Sequence, residues 1–165
     1  MAEKYYRIYQ RVHDLKTVVL RFANLFGPYG KGFAEFGFVN YFLHLARNGE
    51  EIRIFGEGRQ MRNVLYVEDA AEALWIAAQS PQLQGETFFA VHEEHQSVGA
   101  IAAAIVRELG SGTVAHIPWP EDRRRIEIDD VHIAAAKFRK LTGWKPRYSF
   151  EEGLRKTKAV PEIRS

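Results

Sequence analysis

The sequence contains no cysteine in its 165 residues, so disulfide frameworks and thiolate metal sites are excluded. It also lacks any apolar run near the roughly 18 residues that a membrane-spanning helix needs. Its opening, Met-Ala-Glu-Lys-Tyr-Tyr, has no apolar core of a secretory signal. We therefore expect a cytoplasmic protein with no membrane partner.

Excess charge of one sign is lacking too, with 23 Lys and Arg residues against 21 Asp and Glu residues. A nucleic-acid surface usually presents a broad basic face, so we expect no nucleic-acid partner. The exception is local: Arg123, Arg124 and Arg125 follow one another, which favours an anion site. Hydrophobic residues make up 46% of the chain, enough to bury the core of one globular domain.

Alternating apolar patterns predict a chain of mixed helices and strands, hence an α/β or α+β domain. Helical spacing predicts helices over about residues 2–13, 38–46, 98–109, 131–141 and 150–158, and one more that Glu68 or Asp69 would begin. Short apolar or β-branched runs predict strands at 17–22, 51–55, 64–67 and 87–91. Residues 24–30 are predicted to be a loop, because Gly27 and Pro28 interrupt regular structure.

Several single residues have predicted structural roles. Ser97 should cap the helix at 98–109 and Gly110 should end it, while Ser149 and Glu152 form a capping-box pattern. Asp69 should cap its own helix.

Two further features concern packing and metal binding. Trp144 is expected to be a hydrophobic anchor. His92 and His95 lack the spacing and the third ligand of a zinc site, so no metal is expected.

Five stretches, in order, resemble the second half of a known family. They are Ala2-Glu-Lys-Tyr, Leu20-Arg-Phe-Ala-Asn-Leu-Phe-Gly-Pro28, Ile54-Phe-Gly-Glu-Gly-Arg-Gln-Met-Arg-Asn-Val-Leu-Tyr-Val-Glu-Asp69, Leu141-Thr-Gly-Trp-Lys-Pro146 together with Lys137, and Ser149-Phe-Glu-Glu-Gly-Leu154. They are similar to the extended short-chain dehydrogenase/reductase family of NAD-dependent nucleotide-sugar epimerases and dehydratases, UDP-glucose 4-epimerase among them.

The resemblance implies the fold and the domain limits. We expect the C-terminal portion of an extended Rossmann-type α/β fold, with the last strands of the parallel sheet and a small mixed α/β substrate-binding domain. Residues 1–159 would form the substrate-binding half, and residues 160–165 a tail. The first helix resembles one that full-length relatives use in dimer contacts, which implies a homodimer of the full-length enzyme.

Two motifs of the family are absent. No Gly-x-Gly-x-x-Gly or Gly-x-x-Gly-x-x-Gly occurs, and none of the seven tyrosines has a lysine four residues on. The cradle for the dinucleotide pyrophosphate and the proton-transfer pair are therefore missing. We expect an amino-terminal portion to be absent, NAD or NADP to belong to the parent enzyme, and this segment to hold no catalytic residue, bind no cofactor and be inactive alone.

The resemblance also implies which residues contact a nucleotide diphosphate sugar. Arginine grips phosphate through a planar fork, and Arg62 follows a Gly-x-Gly turn, so it is the leading candidate; a solvated surface arginine is the alternative. Asn24 would donate to a phosphate or sugar oxygen, unless its amide only bonds a loop backbone. Phe55 would lie near the nucleobase or pack in the core. Arg123 is favoured as a second phosphate ligand over a solvated run, with Arg124 on the opposite face if the segment is extended.

Two other functions stay open. The missing motifs suit a non-catalytic binding or interaction module derived from such an enzyme. The third alternative is a fragment of a related reductase whose substrate carries no nucleotide.

Overall fold

The computed structural model describes residues 2–128 and 130–161. The helices are α1 (Ala2–His13), α2 (Phe38–Arg47), α3 (Val67–Ala78), α4 (Val98–Leu109), α5 (Glu121–Arg124), α6 (Ala136–Thr142) and α7 (Phe150–Ala159). The strands are β1 (Val19–Arg21), β2 (Asn24–Phe26), β3 (Glu51–Phe55), β4 (Met61–Arg62), β5 (Val64–Tyr66), β6 (Thr87–Phe89), β7 (Gln96–Ser97) and β8 (Thr113–Ile117). Within these residues no helix has both the length and the apolar character to cross a membrane.

The strands pair across long stretches of sequence. Three pairs are parallel, namely β1 with β6, β2 with β5 and β3 with β8, whereas β4 and β7 pair antiparallel. Parallel pairs need crossover connections, and helices supply them here. The expected α/β arrangement is therefore confirmed.

The buried side chains form two hydrophobic clusters that meet at strand β5. One cluster joins α2, β3, α4 and α7, and the other joins α3, α6 and the β1–β6 pair. Successive residues of a strand point to opposite faces. Val64 and Tyr66 accordingly belong to the first cluster and Leu65 to the second. The three residues of β5 thus form the common wall of both clusters.

Helices α4 and α7 begin as their sequences predict. The Ser97 hydroxyl accepts a hydrogen bond from the Ala100 amide at 3.1 Å, and Gly110 ends α4 in the left-handed conformation at φ 73°. The capping box of α7 is complete, because Glu152 also accepts from the Ser149 amide at 2.8 Å. Both predictions are confirmed, and Trp144, 3% exposed and packed on Phe138, is confirmed as an anchor.

Two local predictions are wrong and one strand was missed, because tertiary contacts override local sequence. Residues 24–26 form strand β2 instead of a loop, since the Asn24 amide donates to the Asn63 carbonyl and β2 then pairs with β5. The helix predicted from residue 131 begins at Ala136, because the amides of Val131 and Ile133 donate to Met61 and His95. Strand β8 was not predicted at all.

Asp69 does not cap its own helix. Helix α3 begins at Val67 without a side-chain cap, and the fully buried Asp69 carboxylate instead accepts hydrogen bonds from the amides of Arg147 and Tyr148, at 2.9 and 3.3 Å. Burial raises the pKa of Asp69, and these two backbone donors oppose that shift. The carboxylate therefore fixes a segment almost eighty residues away.

Helix α1 lies at the surface, and none of its described residues is buried. Its apolar stripe is at least half exposed, at Tyr5, Ile8, Tyr9 and Val12. Polar contacts connect the opposite side of α1 to the strands. Glu3 pairs with Arg21 of β1 at 2.6 Å, and Arg7 donates to the Thr87 hydroxyl of β6 at 3.4 Å.

Candidate functional site

A cavity with a volume of about 890 Å³ lies beside strands β3 and β8. A cavity of this size accommodates a ligand of several hundred daltons. Its wall combines aromatic side chains with charged groups of both signs: Phe38, Tyr41, Phe42, Glu50, Glu51, Arg53, Phe55, Arg62, Trp119, Arg123 and Glu127.

An aromatic pair forms one wall of this cavity. Phe55 ends β3, and its ring centroid lies 5.2 Å from that of Trp119 with the planes 34° apart. Gly56 adopts φ 62°, and a Cβ there would lie 2.5 Å from Nε1 of Trp119. Only glycine leaves room for the indole at this turn, so the local backbone positions the aromatic pair.

Arg62 reaches the cavity from the end of β4. Its Nη1 donates to the Met61 carbonyl at 2.8 Å, and its Nη2 forms a short ion pair with the Glu127 carboxylate. Both side chains are mostly buried, at 17% and 23% exposure. Partial removal from water strengthens such a pair. The guanidinium is therefore held in place inside the cavity by an internal anion.

The arginines of α5 stack on the aromatic pair. The Arg123 guanidinium lies 5.6 Å from the Phe55 ring centroid, and that of Arg124 lies 5.7 Å from the Trp119 ring. The expectation that Arg124 faces away from Arg123 is wrong, because the segment is helical. Successive helical side chains are about 100° apart instead of 180°.

Asn24 lies outside the cavity wall. Its Nδ2 donates to the Asn63 carbonyl at 2.9 Å. Asn63 is itself buried, and its side chain donates to the carbonyls of His92 and Glu94 and accepts from the His92 amide. Asn24 thus takes part in a structural network between β2 and the 92–94 loop. A ligand contact by Asn24 stays a prediction.

The structure brings three of the four sequence-predicted residues to one cavity. Arg62, Phe55 and Arg123 share its wall, and Asn24 does not. Sequence reasoning missed Trp119 and Glu127. The parallel register of β3 and β8 pairs Phe55 with Ile117, which places Trp119 two residues beyond that partner. Recognition of β8 as a strand would have been the signal for Trp119.

The histidines at 92 and 95 have structural partners. His92 Nδ1 accepts from the Glu94 amide, and His95 Nε2 accepts from the Ile133 amide, both at 3.1 Å. Burial, followed by nearby His132 and His92, lowers the pKa of His95. A neutral ring keeps the acceptor nitrogen that the Ile133 amide uses.

Comparison with known proteins identifies the family. A family profile described as NAD dependent epimerase/dehydratase family matches residues 1–90, more than half of the chain. The chain belongs to this family. The expectation of a Rossmann-type nucleotide-sugar epimerase or dehydratase relative is thereby confirmed.

Individual members of the epimerase/dehydratase family match over nearly the whole chain. A dTDP-glucose 4,6-dehydratase of Neisseria meningitidis serogroup B is 33% identical over 92% of this chain and 44% of its own length. A UDP-glucose 4-epimerase of Thermotoga maritima, solved with UDP-glucose, has a TM-score of 0.83 at 28% identity, over 94% of this chain and 49% of that one.

The UDP-glucose 4-epimerase of Thermus thermophilus, solved with NAD, has a TM-score of 0.79 at 26% identity, over 94% of this chain and 50% of that one. The chain spans less than half the length of the curated relatives it matches.

Proposed function

We propose that this chain is the nucleotide-sugar binding portion of an NAD(P)-dependent sugar epimerase or dehydratase. The observation that carries the proposal is the single cavity that gathers Arg62, Arg123 and the Phe55–Trp119 pair. Such a ligand has an anionic diphosphate and a flat base, and this wall offers guanidinium groups beside aromatic faces. The relatives named above act on sugars of this chemical class according to their names.

Arg62 would bind the diphosphate. Its fork is buried enough to hold a charge-assisted hydrogen bond with little competition from water. Glu127 occupies that fork as an internal anion, so a diphosphate would have to exchange with it. Arg123, on the exposed helix α5, would supply the second positive charge at the mouth.

The Phe55–Trp119 pair would receive the base. An aromatic side chain can stack on any nucleobase, because every nucleobase has a π-face. The side chains therefore hold and orient the ligand and supply no proton-transfer step, in keeping with the absence of a Tyr-x-x-x-Lys pair.

The dinucleotide does not fit the residues of this chain. No glycine-rich strand-to-helix turn with the required spacing occurs in the 165 residues, so nothing here cradles its pyrophosphate. In the parent enzyme NAD or NADP would carry the hydride. We propose that this chain binds no NAD or NADP and is inactive alone.

Calorimetric titration with UDP, UDP-glucose and dTDP-glucose tests the binding proposal. We expect Arg62→Ala to weaken the affinity about tenfold or more, since a hydrogen bond to a charged group contributes over 1 kcal/mol. Glu127→Gln should strengthen binding, because one carboxylate that competes for the Arg62 guanidinium is then removed. Asn24→Ala tests the remaining predicted contact.

Arg59→Ala is the matched control. Arg59 lies three residues before Arg62, pairs with Glu57 and is 86% exposed outside the cavity wall. Equal affinities of the wild type, Arg62→Ala and Glu127→Gln would exclude the diphosphate site. Absence of binding by every nucleotide would favour the reductase alternative, whose substrate carries no nucleotide.

The dimer and the cytoplasmic location stay predictions. The exposed apolar stripe of α1 supports self-association, because an apolar patch of that kind is costly in water. Light scattering of the wild type and of Tyr9→Ser would detect it. A monomer at every concentration would exclude pairing through α1 by this chain.

A further inference from the structure

A second cleft lies between α1, β6 and α6. It is separate from the cavity beside β3 and β8, which we call the nucleotide cavity. Its volume is about 410 Å³, and it is lined by Arg7, Gln10, Arg11, residues 85–87 and Lys137. We refer to it as the basic cleft. It shares no lining residue with the larger cavity.

The charges of the basic cleft are unbalanced. Arg7, Arg11 and Lys137 contribute three positive charges, and Glu86 contributes one negative charge, which leaves a surplus of two. Glu86 is committed to Lys137, with 2.5 Å between the carboxylate and the ammonium. The hydrogen bond from Lys137 lowers the pKa of Glu86 and keeps it ionised.

Arg7 and Arg11 form no ion pair within the described residues, although the charges of Glu3 and Glu86 lie near Arg7. The two arginines are four residues apart on α1, where like charges repel. Arg7 donates only to a neutral hydroxyl, that of Thr87. Within residues 2–128 and 130–161 the Arg11 side chain has no hydrogen-bond or ion-pair partner. A bound anion would remove this repulsion.

The backbone brings the two walls of the cleft together at Gly85. This residue adopts φ 80°, its amide donates to the Thr17 carbonyl at 2.8 Å, and a Cβ there would lie 2.3 Å from Nε2 of Gln10. The glycine lets α1 approach the start of β6. The Gln10 amide, the Thr87 hydroxyl and the three cations then supply donors around one volume.

We propose that the basic cleft binds a small phosphate-bearing dianion. The charge surplus matches a phosphomonoester or inorganic phosphate, and guanidinium pairs suit the tetrahedral oxygen array. This site is independent of the proposed nucleotide-sugar site.

Calorimetry of the 165-residue chain with inorganic phosphate, at constant ionic strength set with chloride, tests the proposal. Arg11→Gln should weaken phosphate binding about tenfold, because one charge-assisted hydrogen bond is lost. Arg11 has no partner to lose, so this change leaves folding intact. Glu86→Gln should instead strengthen binding, since the competing carboxylate is removed; a purely structural role of the cleft would not produce opposite signs.

Two control variants distinguish phosphate in the basic cleft from phosphate bound elsewhere on the chain. Arg107→Gln removes an exposed arginine of α4 outside the cleft and should bind phosphate as the wild type does. Arg62→Ala tests whether phosphate binds in the larger cavity instead. Equal binding by Arg11→Gln and the wild type would overturn the proposal. So would an equal loss in Arg107→Gln, which indicates general surface charge, or loss in Arg62→Ala alone, which places phosphate in the nucleotide cavity.

Discussion

Helices α1 and α4 have the same length and each has an apolar face, yet only the face of α4 is buried. Each has 12 residues. Five residues of α4 are buried, whereas the apolar stripe of α1 is exposed and its contacts with the strands are polar. Helical spacing therefore identifies an apolar face but not what covers it. Stability should therefore depend on α4 far more than on α1.

Truncation of the α4 face should have the largest effect. Ile101 is fully buried in the first cluster, so Ile101→Ala should lower the free energy of unfolding by about 2–5 kcal/mol. Ile8→Ala is the matched change in α1, where the side chain is 54% exposed, and should change stability by less than about 0.5 kcal/mol. Urea unfolding followed by circular dichroism measures both. Equal losses would contradict the comparison.

An effect of the same order is expected where α4 approaches a turn. Gly58 is buried at φ 66°, and a Cβ there would lie 2.9 Å from the Gly99 amide nitrogen of α4. Gly58→Ala should cost about 1–2 kcal/mol for the left-handed conformation and about 1–3 kcal/mol more for the clash. It should also weaken UDP binding, since this turn leads to Arg62.

Gly49→Ala is the control for backbone strain alone. Gly49 adopts φ 72°, and no atom lies within 4 Å of a Cβ there. Thermal unfolding should show the smaller loss for this variant. If both variants were equally stable, α4 would not be tightly packed against the Gly58 turn.

The smallest effect concerns the capped start of α7. The hydrogen bond from the Ser149 backbone lowers the pKa of Glu152, so its folded-state pKa lies below the unfolded value. The stabilisation is present above the unfolded pKa and disappears as the pH falls through the folded one. Glu152→Gln should therefore be less stable than the wild type near pH 7, with a difference that shrinks below about pH 4.

Glu151→Gln is the control for charge in the same turn, because Glu151 has no part in the capping box. Urea unfolding between neutral and acidic pH compares the three proteins. If the stability difference between wild type and Glu152→Gln did not change with pH, the carboxylate charge would contribute nothing to stability.

The sequence was sufficient to predict structure where the decisive interaction is local. Ser97, Gly110 and the Ser149–Glu152 pair define their helix ends through neighbours within a few residues. The sequence was insufficient where a residue far along the chain determines the local structure. Asn24 enters a strand because of Asn63, and Asp69 bonds the backbone at 147–148.

The candidate site shows the same division. Phe55, Arg62 and Arg123 were predicted from residue type and from the family resemblance, and they do line one cavity. Trp119 and Glu127 lie more than sixty residues from their partners Phe55 and Arg62. Their contacts depend on the β3–β8 pairing and on the course of the chain after α5. No local pattern of residues specifies either one.

The buried carboxylate of Asp69 has a consequence for the integrity of the chain. Together with Arg47, which donates to the Thr157 carbonyl at 2.5 Å, it attaches the C-terminal helices to segments far upstream. Residues 121–126 are all exposed, so a protease could cut there. The two pieces would remain associated after such a nick, eluting together in native chromatography and separating only in denaturant.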